Sequence, residues 1–202
     1  MGPPCAGKST AGERVAYELG SKITFISMGK LLMDAKLQSK HPLHELVCRD
    51  WRPGPLAPLD LVRTVFSYHL EKLSRERPAT HSLLLDGIPR SVPGVAAIAP
   101  LVELQAVYEF TDISRQQLTD RLEARIRERV RNGQAPRPDD TAEQLSLRIQ
   151  EYMTLTKPML QVLPASTLVR QIRAGRSDAE VSQELAEVLR EDLLIGRFEG
   201  EE

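Results

Sequence analysis

The stretch Met1-Gly2-Pro3-Pro4-Cys5-Ala6-Gly7-Lys8-Ser9-Thr10 decides how this chain is read. Its spacing, G-x-x-x-x-G-K-[ST], is that of a loop that holds the phosphates of a nucleoside triphosphate. Gly2 and Gly7 bracket a tight turn that points successive backbone N–H groups inward at a polyanion. Lys8 brings a mobile ammonium to the outer phosphates, and the Ser9 hydroxyl is placed to meet a phosphate-bound Mg²⁺. A helix is expected after Thr10, its N-terminal dipole adding to the same anion site. Such a loop ordinarily follows a buried strand in the middle of a sheet, and here the sequence opens inside the motif. The first central strand is thus expected to be missing from the N-terminus, its neighbours losing a hydrogen-bonding partner at about 1–3 kcal/mol per buried unpaired group. The natural product is expected to begin upstream of Met1, or the 202-residue chain to be poorly stable alone.

Composition sets the bounds. At 202 residues the chain is long enough for a sizeable core and is read as one domain over 1–202. Hydrophobic residues make up 41% and charged residues 27%, ordinary for a globular protein. A net charge of −1 gives no electrostatic reason for nucleic acid or an anionic membrane as partner, so an anionic ligand would need local arginine clusters. Cys5 and Cys48 do not form a disulfide framework, which points to a reducing compartment. No apolar run reaches about 18 residues and no signal-peptide core is present, so a cytoplasmic protein is expected.

Further along, apolar β-rich runs alternate with helical patterns. Residues 10–19 read as a helix stopped by Gly20, and Ile23–Ile26 as a strand. Ser27 is positioned to cap a helix running to about Leu37. Residues 39–58, richer in Pro, His and charge, suggest a mobile excursion. A long helix is expected from Pro58 to about Arg77, with Leu59, Val62, Val65, Phe66, Leu70 and Leu73 as its core face. Ser82-Leu83-Leu84-Leu85-Asp86 reads as a buried parallel strand whose carboxylate ends at a ligand crevice. After it come a short helix at 93–101, a strand at 106–110, a charged helix Arg115–Arg131 and a break at 132–138. A helix from Asp140 to Leu160, a strand at 167–172 and a helix Ser177–Leu193 complete the pattern, with a frayed tail from Gly196. Strands alternating with helices predict an α/β fold of the P-loop NTPase class, a parallel sheet flanked by helices. Lys8, Ser27, Asp86 and Arg90 would then gather at the C-terminal ends of its strands.

Arginines are dense between 121 and 148. Arg127, Arg129 and Arg131 read as a solvated face. Arg121 and Arg125 share one helical face at i, i+4, and Arg137 follows a Gly/Pro-containing segment. Phosphoryl transfer needs cationic groups around the transferred group, with water excluded. Arginines on a segment able to close over the phosphate loop meet that need.

The order of motifs resembles the nucleoside monophosphate kinases, in particular the short-lid adenylate kinases and the UMP/CMP kinases, from Gly2 to about Leu193. Residues 2–10 are similar to the family phosphate loop. Ser27-Met28-Gly29-Lys30-Leu31-Leu32 is similar to S-T-G-D-L-L, and Gly54-Pro55-Leu56-Ala57-Pro58 to G-x-L-V-P. Asp86-Gly87-Ile88-Pro89-Arg90 resembles D-G-[FY]-P-R, and Arg137-Pro138-Asp139-Asp140 the G-R-x-D-D of the lid. Arg148-Ile149-Gln150-Glu151-Tyr152, with Thr156-Lys157-Pro158, resembles the helix that follows the lid.

The resemblance implies transfer of the γ-phosphoryl of MgATP to a nucleoside monophosphate, AMP by default, with UMP or CMP as the alternative acceptor. Cys5, Ala6, Gly7, Lys8, Ser9 and Thr10 would wrap the ATP phosphates, and Gly175 would lie against the ATP base. Lys8, Arg90, Arg125, Arg137 and Arg148 would carry catalysis, with Asp86 orienting Mg²⁺-bound water beside Ser9. Met28, Lys30, Leu56, Gly87, Arg90, Arg137 and Arg148 would face the acceptor. An acceptor-binding excursion at about 27–58 and a lid at about 125–138 would close over the site. Small-molecule nucleotides are the expected partners of a monomer, with no nucleic acid or membrane. Departures cluster on the acceptor side. Met33 replaces the arginine that grips the acceptor phosphate, Met28 a threonine, Lys30 an acid, and Gly94 the glutamine that reads adenine. The lid is also longer than the short-lid pattern, and Cys5 replaces a glycine. A further reading is therefore a catalytically weak ATP-binding regulatory module.

Overall fold

The computed structural model describes residues 1–54, 56–76 and 82–194, with only the main chain of Leu194. Arg77, Pro55 and the tail from Gly196 lie outside the described residues. Gly7, with φ 86°, is the N-cap of helix α1 (Lys8–Leu19), which starts earlier than expected because this glycine supplies the left-handed turn. Strand β1 (Ile23–Ser27) leads straight into α2 (Met28–Leu37). Ser27 stands at the N-cap without a side-chain cap; its hydroxyl faces Asp86 instead, 3.4 Å from Oδ2.

The segment expected to be a mobile excursion carries a helix, α3 (His44–Asp50), anchored by the fully buried Val47 and followed by the buried Trp51. Helix α4 (Leu59–Ser74) buries Leu61, Val65 and Phe66. Leu59, expected in the core, is 38% exposed, because the buried face begins at Leu61. Strand β2 (Ser82–Asp86), helix α5 (Val92–Ile98), strand β3 (Ala106–Thr111) and helix α6 (Arg115–Arg131) follow. Ser114 and Gln117 close a capping box on α6.

Helix α7 (Ala142–Glu151) stops earlier than the sequence pattern suggests. A π turn over Tyr152–Thr156 and a 3-10 turn over Lys157–Gln161 replace its last two turns. Pro158 has no N–H for the α-helical ladder, so the hydrogen bonding changes register around it. Strand β4 (Leu168–Arg173) and helix α8 (Asp178–Leu194) end the described chain, with Ser177 and Glu180 bonded to each other at the start of α8.

The sheet is where sequence and structure differ most. Among the described residues, two separate two-stranded parallel sheets stand in place of one: β1 pairs β2, and β3 pairs β4. Two apolar cores go with them. One lies between α1, β3, β4 and α8 around Val15, Ile172 and Leu189; the other joins α2–α5 around Ile26, Val47 and Phe66. Leu84 faces the first core, while Leu83 and Leu85 face the second.

The chain's first residue is tied to β3. The Met1 amino group donates to Tyr108 O, and Phe110 N–H donates to Met1 O at 2.8 Å. Burial, and secondarily the Lys8 ammonium, pull that amino group down from its ordinary 8.0 to about 5, against the opposing pull of Asp86 and Glu109. A buried amine that stays neutral in the folded state but protonates in the unfolded one makes unfolding take up a proton between pH 5 and 8. Stability therefore rises with pH across that window. We expect this group to add on the order of 2 kcal/mol between pH 5 and 8. Urea midpoints at pH 5.5 and 8, compared with the N-acetylated chain, measure it; acetylation should remove the difference.

Candidate active site

The register that pairs Ser27 with Asp86 brings the C-terminal ends of β1 and β2 level beneath the phosphate loop. Asp86 is the focus. Ser9 Oγ donates to its Oδ2 at 2.5 Å, and Ser27 Oγ lies 3.4 Å from the same oxygen. A hydroxyl and a carboxylate oxygen side by side are hard donors suited to a hydrated Mg²⁺ that takes its other ligands from phosphate and water. Among the described residues no cluster of three or more His, Cys, Asp or Glu side chains forms a protein-only metal cage.

The loop itself is a concave run of backbone. Cys5 and Gly7 take left-handed conformations, with φ 60° and 86°, of the kind that turns successive N–H groups to one side. Lys8, on the first turn of α1, folds back to donate to Gly2 O at 2.9 Å and Pro3 O at 2.6 Å. Burial pulls its ammonium down from 10.5 to about 8; Asp86 opposes that shift, while Arg90 and Arg148 add to it. Arg90 follows the turn Gly87–Pro89, whose Ile88–Pro89 bond is cis. Burial, then Arg148, lowers its pKa. Lys8, Arg90 and Arg148 thus lie within electrostatic reach of one another, with Asp86, Glu151 and Asp139 as the carboxylates beside them.

Around this centre Arg125 and Arg148 are held by two adjacent aspartates. Arg125 Nη2 meets Asp140 Oδ1 at 2.5 Å, the Asp140 carboxylate being fully buried, and Arg148 Nη1 meets Asp139 Oδ2 at 2.7 Å. The Nε atoms of both arginines are buried without a hydrogen-bond partner among the described residues. Arg137 is exposed, its backbone N–H bonded to Asp140 Oδ2.

Arg121, set apart in the sequence with Arg125 but given no individual role, reaches the loop from α6. Its Nη2 donates to Arg176 O at 2.6 Å, and its buried, unpartnered Nη1 lies against Gly7. The i, i+4 spacing with Arg125 is the signal that marked it. Gly175 packs closely: its carbonyl accepts from Gln117 Nε2 at 3.0 Å, and a Cβ there would stand 2.2 Å from Asp112 O. Gly175→Ala should therefore cost about 1–3 kcal/mol and lower the melting temperature, which calorimetry of the nucleotide-free chain checks.

The residues expected on the acceptor side line the same cavity as the loop. Met28 is buried, Leu56 and Met33 are half-buried, and Lys30 is exposed. Gly87, with φ 78°, brings the backbone close to Met28. Gly94 is fixed by the α5 cap, its N–H donating to Ser91 Oγ at 3.2 Å. A Cβ at Gly94 would meet that oxygen at 3.2 Å and Pro89 Cβ at 3.4 Å, so glutamine there requires Ser91 to shift.

No protein-family model matches the sequence. Individual proteins do. An adenylate kinase of Nitrobacter hamburgensis is 30% identical over 95% of this chain and 90% of its own length. An adenylate kinase of Nitrobacter winogradskyi is 30% identical over 94% and 91%, and a UMP-CMP kinase of Bos taurus 26% identical over 93% of both. The chain belongs to the nucleoside monophosphate kinase family. Its phosphate loop, aspartate and arginines thus sit in a kinase of that family. No helix among the described residues is long and apolar enough to cross a membrane.

Proposed function

We propose that this kinase transfers the γ-phosphoryl group of MgATP to AMP, giving two ADP. The observation that carries the reading is the meeting of Lys8, the Ser9–Asp86 pair, Arg90 and Arg148 at one end of β1 and β2. A phosphate oxygen of the acceptor attacks the γ-phosphorus as the bond to the β–γ bridging oxygen breaks, and ADP leaves. Such a transfer asks the protein for position and charge rather than covalent chemistry. Residues 5–10 supply backbone donors to the donor phosphates. Lys8 exchanges its two loop carbonyls for phosphate oxygens, a charge-assisted and stronger pairing. Arg90 and Arg148 hold the acceptor phosphate and the moving group, with Arg125 and Arg137 closing from the lid. Ser9 would hold Mg²⁺ directly and Asp86 its water, the cation neutralising charge on the β- and γ-phosphates.

The whole chain acts as one domain, in which the segments at about 27–58 and 125–138 close to exclude water that would otherwise take the phosphoryl group. The kinase works as a monomer on free nucleotides. The adenylate kinase names among its relatives support AMP. UMP or CMP is the second reading, supported by Gly94 where an adenine-reading glutamine would stand and by the UMP-CMP kinase relatives. Rates of ADP formation across AMP, CMP, UMP and GMP decide between them: AMP should give the highest kcat/KM, and a higher value for CMP or UMP overturns that assignment.

A further inference from the structure

Helix α7 widens where it ends. Lys157 N–H donates to Tyr152 O, five residues back, so the turn Tyr152–Thr156 is closed by a bond of the π type. In an α-helix each residue turns about 100°, so side chains five apart point about 140° away from each other. A turn closed five residues back brings such a pair round toward one side. Glu151 and Thr156 are that pair, and both act on Arg90. The near end of the turn is fixed separately: Tyr152 Oη donates to Glu109 Oε1 of β3 at 2.9 Å, and both residues are buried. The wide turn thus ties β3 to the segment that follows β2.

Thr156 grips the main chain of Arg90. Its hydroxyl donates to Arg90 O at 2.8 Å, and the threonine is buried. Glu151 acts on the side chain. Burial, then Arg148, disfavours the Arg90 cation; Glu151 opposes both, ahead of Asp86. Glu151 Oε2 is buried without a hydrogen-bond partner among the described residues. A carboxylate oxygen left in that way is costly, and a guanidinium with five N–H groups is the neighbour able to relieve it. Arg148, the other guanidinium nearby, is already tied to Asp139 at 2.7 Å.

We propose that this π turn positions Arg90, with Thr156 fixing its main chain and Glu151 directing its guanidinium, so that the acceptor phosphate meets a preoriented cation. The proposal rests on the reading that Arg90 holds that phosphate. Neither Glu151 nor Thr156 touches the reacting groups, so both are positioning residues. The fork of a guanidinium allows the division of labour: some of its N–H groups face the carboxylate while others remain for phosphate oxygens. A cation fixed before the ligand arrives needs no reorganisation when charge moves onto the transferred group.

The test is steady-state kinetics with whichever of AMP, CMP and UMP the chain phosphorylates fastest, with Arg90→Ala as the reference. Thr156→Val keeps the size and removes the donor; Glu151→Gln keeps the shape and removes the charge. Each should raise KM for the acceptor about ten- to a hundredfold while KM for ATP stays within about twofold. Thr156→Ser, which keeps the hydroxyl, should restore the parent value. In the Arg90→Ala background neither change should raise the acceptor KM further, because the group they act through is gone. Unchanged acceptor KM in the two single variants, an equal rise in KM for ATP, or losses that multiply with that of Arg90→Ala would each overturn the proposal. Exchange of the Arg90 Nε–H with water, followed by NMR without nucleotide, gives a readout independent of turnover and of whether Thr156→Val folds. It should quicken about tenfold in Glu151→Gln, and an unchanged rate would overturn the proposal while leaving the transfer reading intact. Unchanged acceptor KM in Arg90→Ala would instead overturn the reading of Arg90, and the proposal with it. So would a chain that phosphorylates none of the three.

Discussion

Lys8→Ala is expected to lower kcat by about a thousandfold or more while leaving the melting temperature within a few degrees or slightly raised. The two halves of this expectation have one cause. The ammonium is buried and held well below its ordinary pKa, with Arg90 and Arg148 adding to the cost. Its bonds to Gly2 O and Pro3 O offset part of that cost, and both carbonyls lie in a loop rather than in either core. Removing it relieves like-charge repulsion and leaves the packing intact. What is lost is the cation that charge on the transferred phosphoryl group requires. Circular dichroism melts and steady-state rates on the same preparation check the pair, and unchanged turnover would remove Lys8 from the site.

Met33→Arg is expected to lower KM for the acceptor about ten- to a hundredfold, the effect of one or two charge-assisted hydrogen bonds at about 1.5–3 kcal/mol each. Met33 is half-buried on α2 and lines the cavity, so an arginine stem can follow the same apolar path and put its guanidinium at the acceptor end. Lys30, one turn earlier, offers a possible substitute charge. It is exposed, and among the described residues it makes no hydrogen bond or ion pair. Lys30→Ala should accordingly leave KM unchanged. A rise in KM on Lys30→Ala would show that its ammonium already does the work of the absent arginine.

Much of this was legible in the sequence because the strongest signals are local. The β-branched run at 23–26 and the leucines at 83–85 define β1 and β2, and the charged run Arg115–Arg131 matches α6 to the residue. The phosphate-loop spacing, together with the aspartate that ends β2, foretold which residues meet. What escaped depends on tertiary packing or register. Helix α3 is seven residues long and flanked by His and Pro, too short to show a period, and Val47 reveals it only by its burial. The core face of α4 begins at Leu61 rather than Leu59, a choice made by the neighbours and not by the spacing. Asp139 and Asp140 read as lid motif, but their pairing with Arg148 and Arg125 emerges only in the folded chain. The division into β1–β2 and β3–β4 is a matter of strand pairing, which no local pattern carries and the structure shows.

The most direct test of the central claim is transfer of labelled γ-phosphate from MgATP to AMP, followed in a single turnover with the chain in excess. Label should appear in ADP at a rate that depends on AMP and vanishes in Lys8→Ala. Tight ATP binding with no labelled ADP from AMP, CMP, UMP or GMP would contradict the account and leave a nucleotide-binding module in its place.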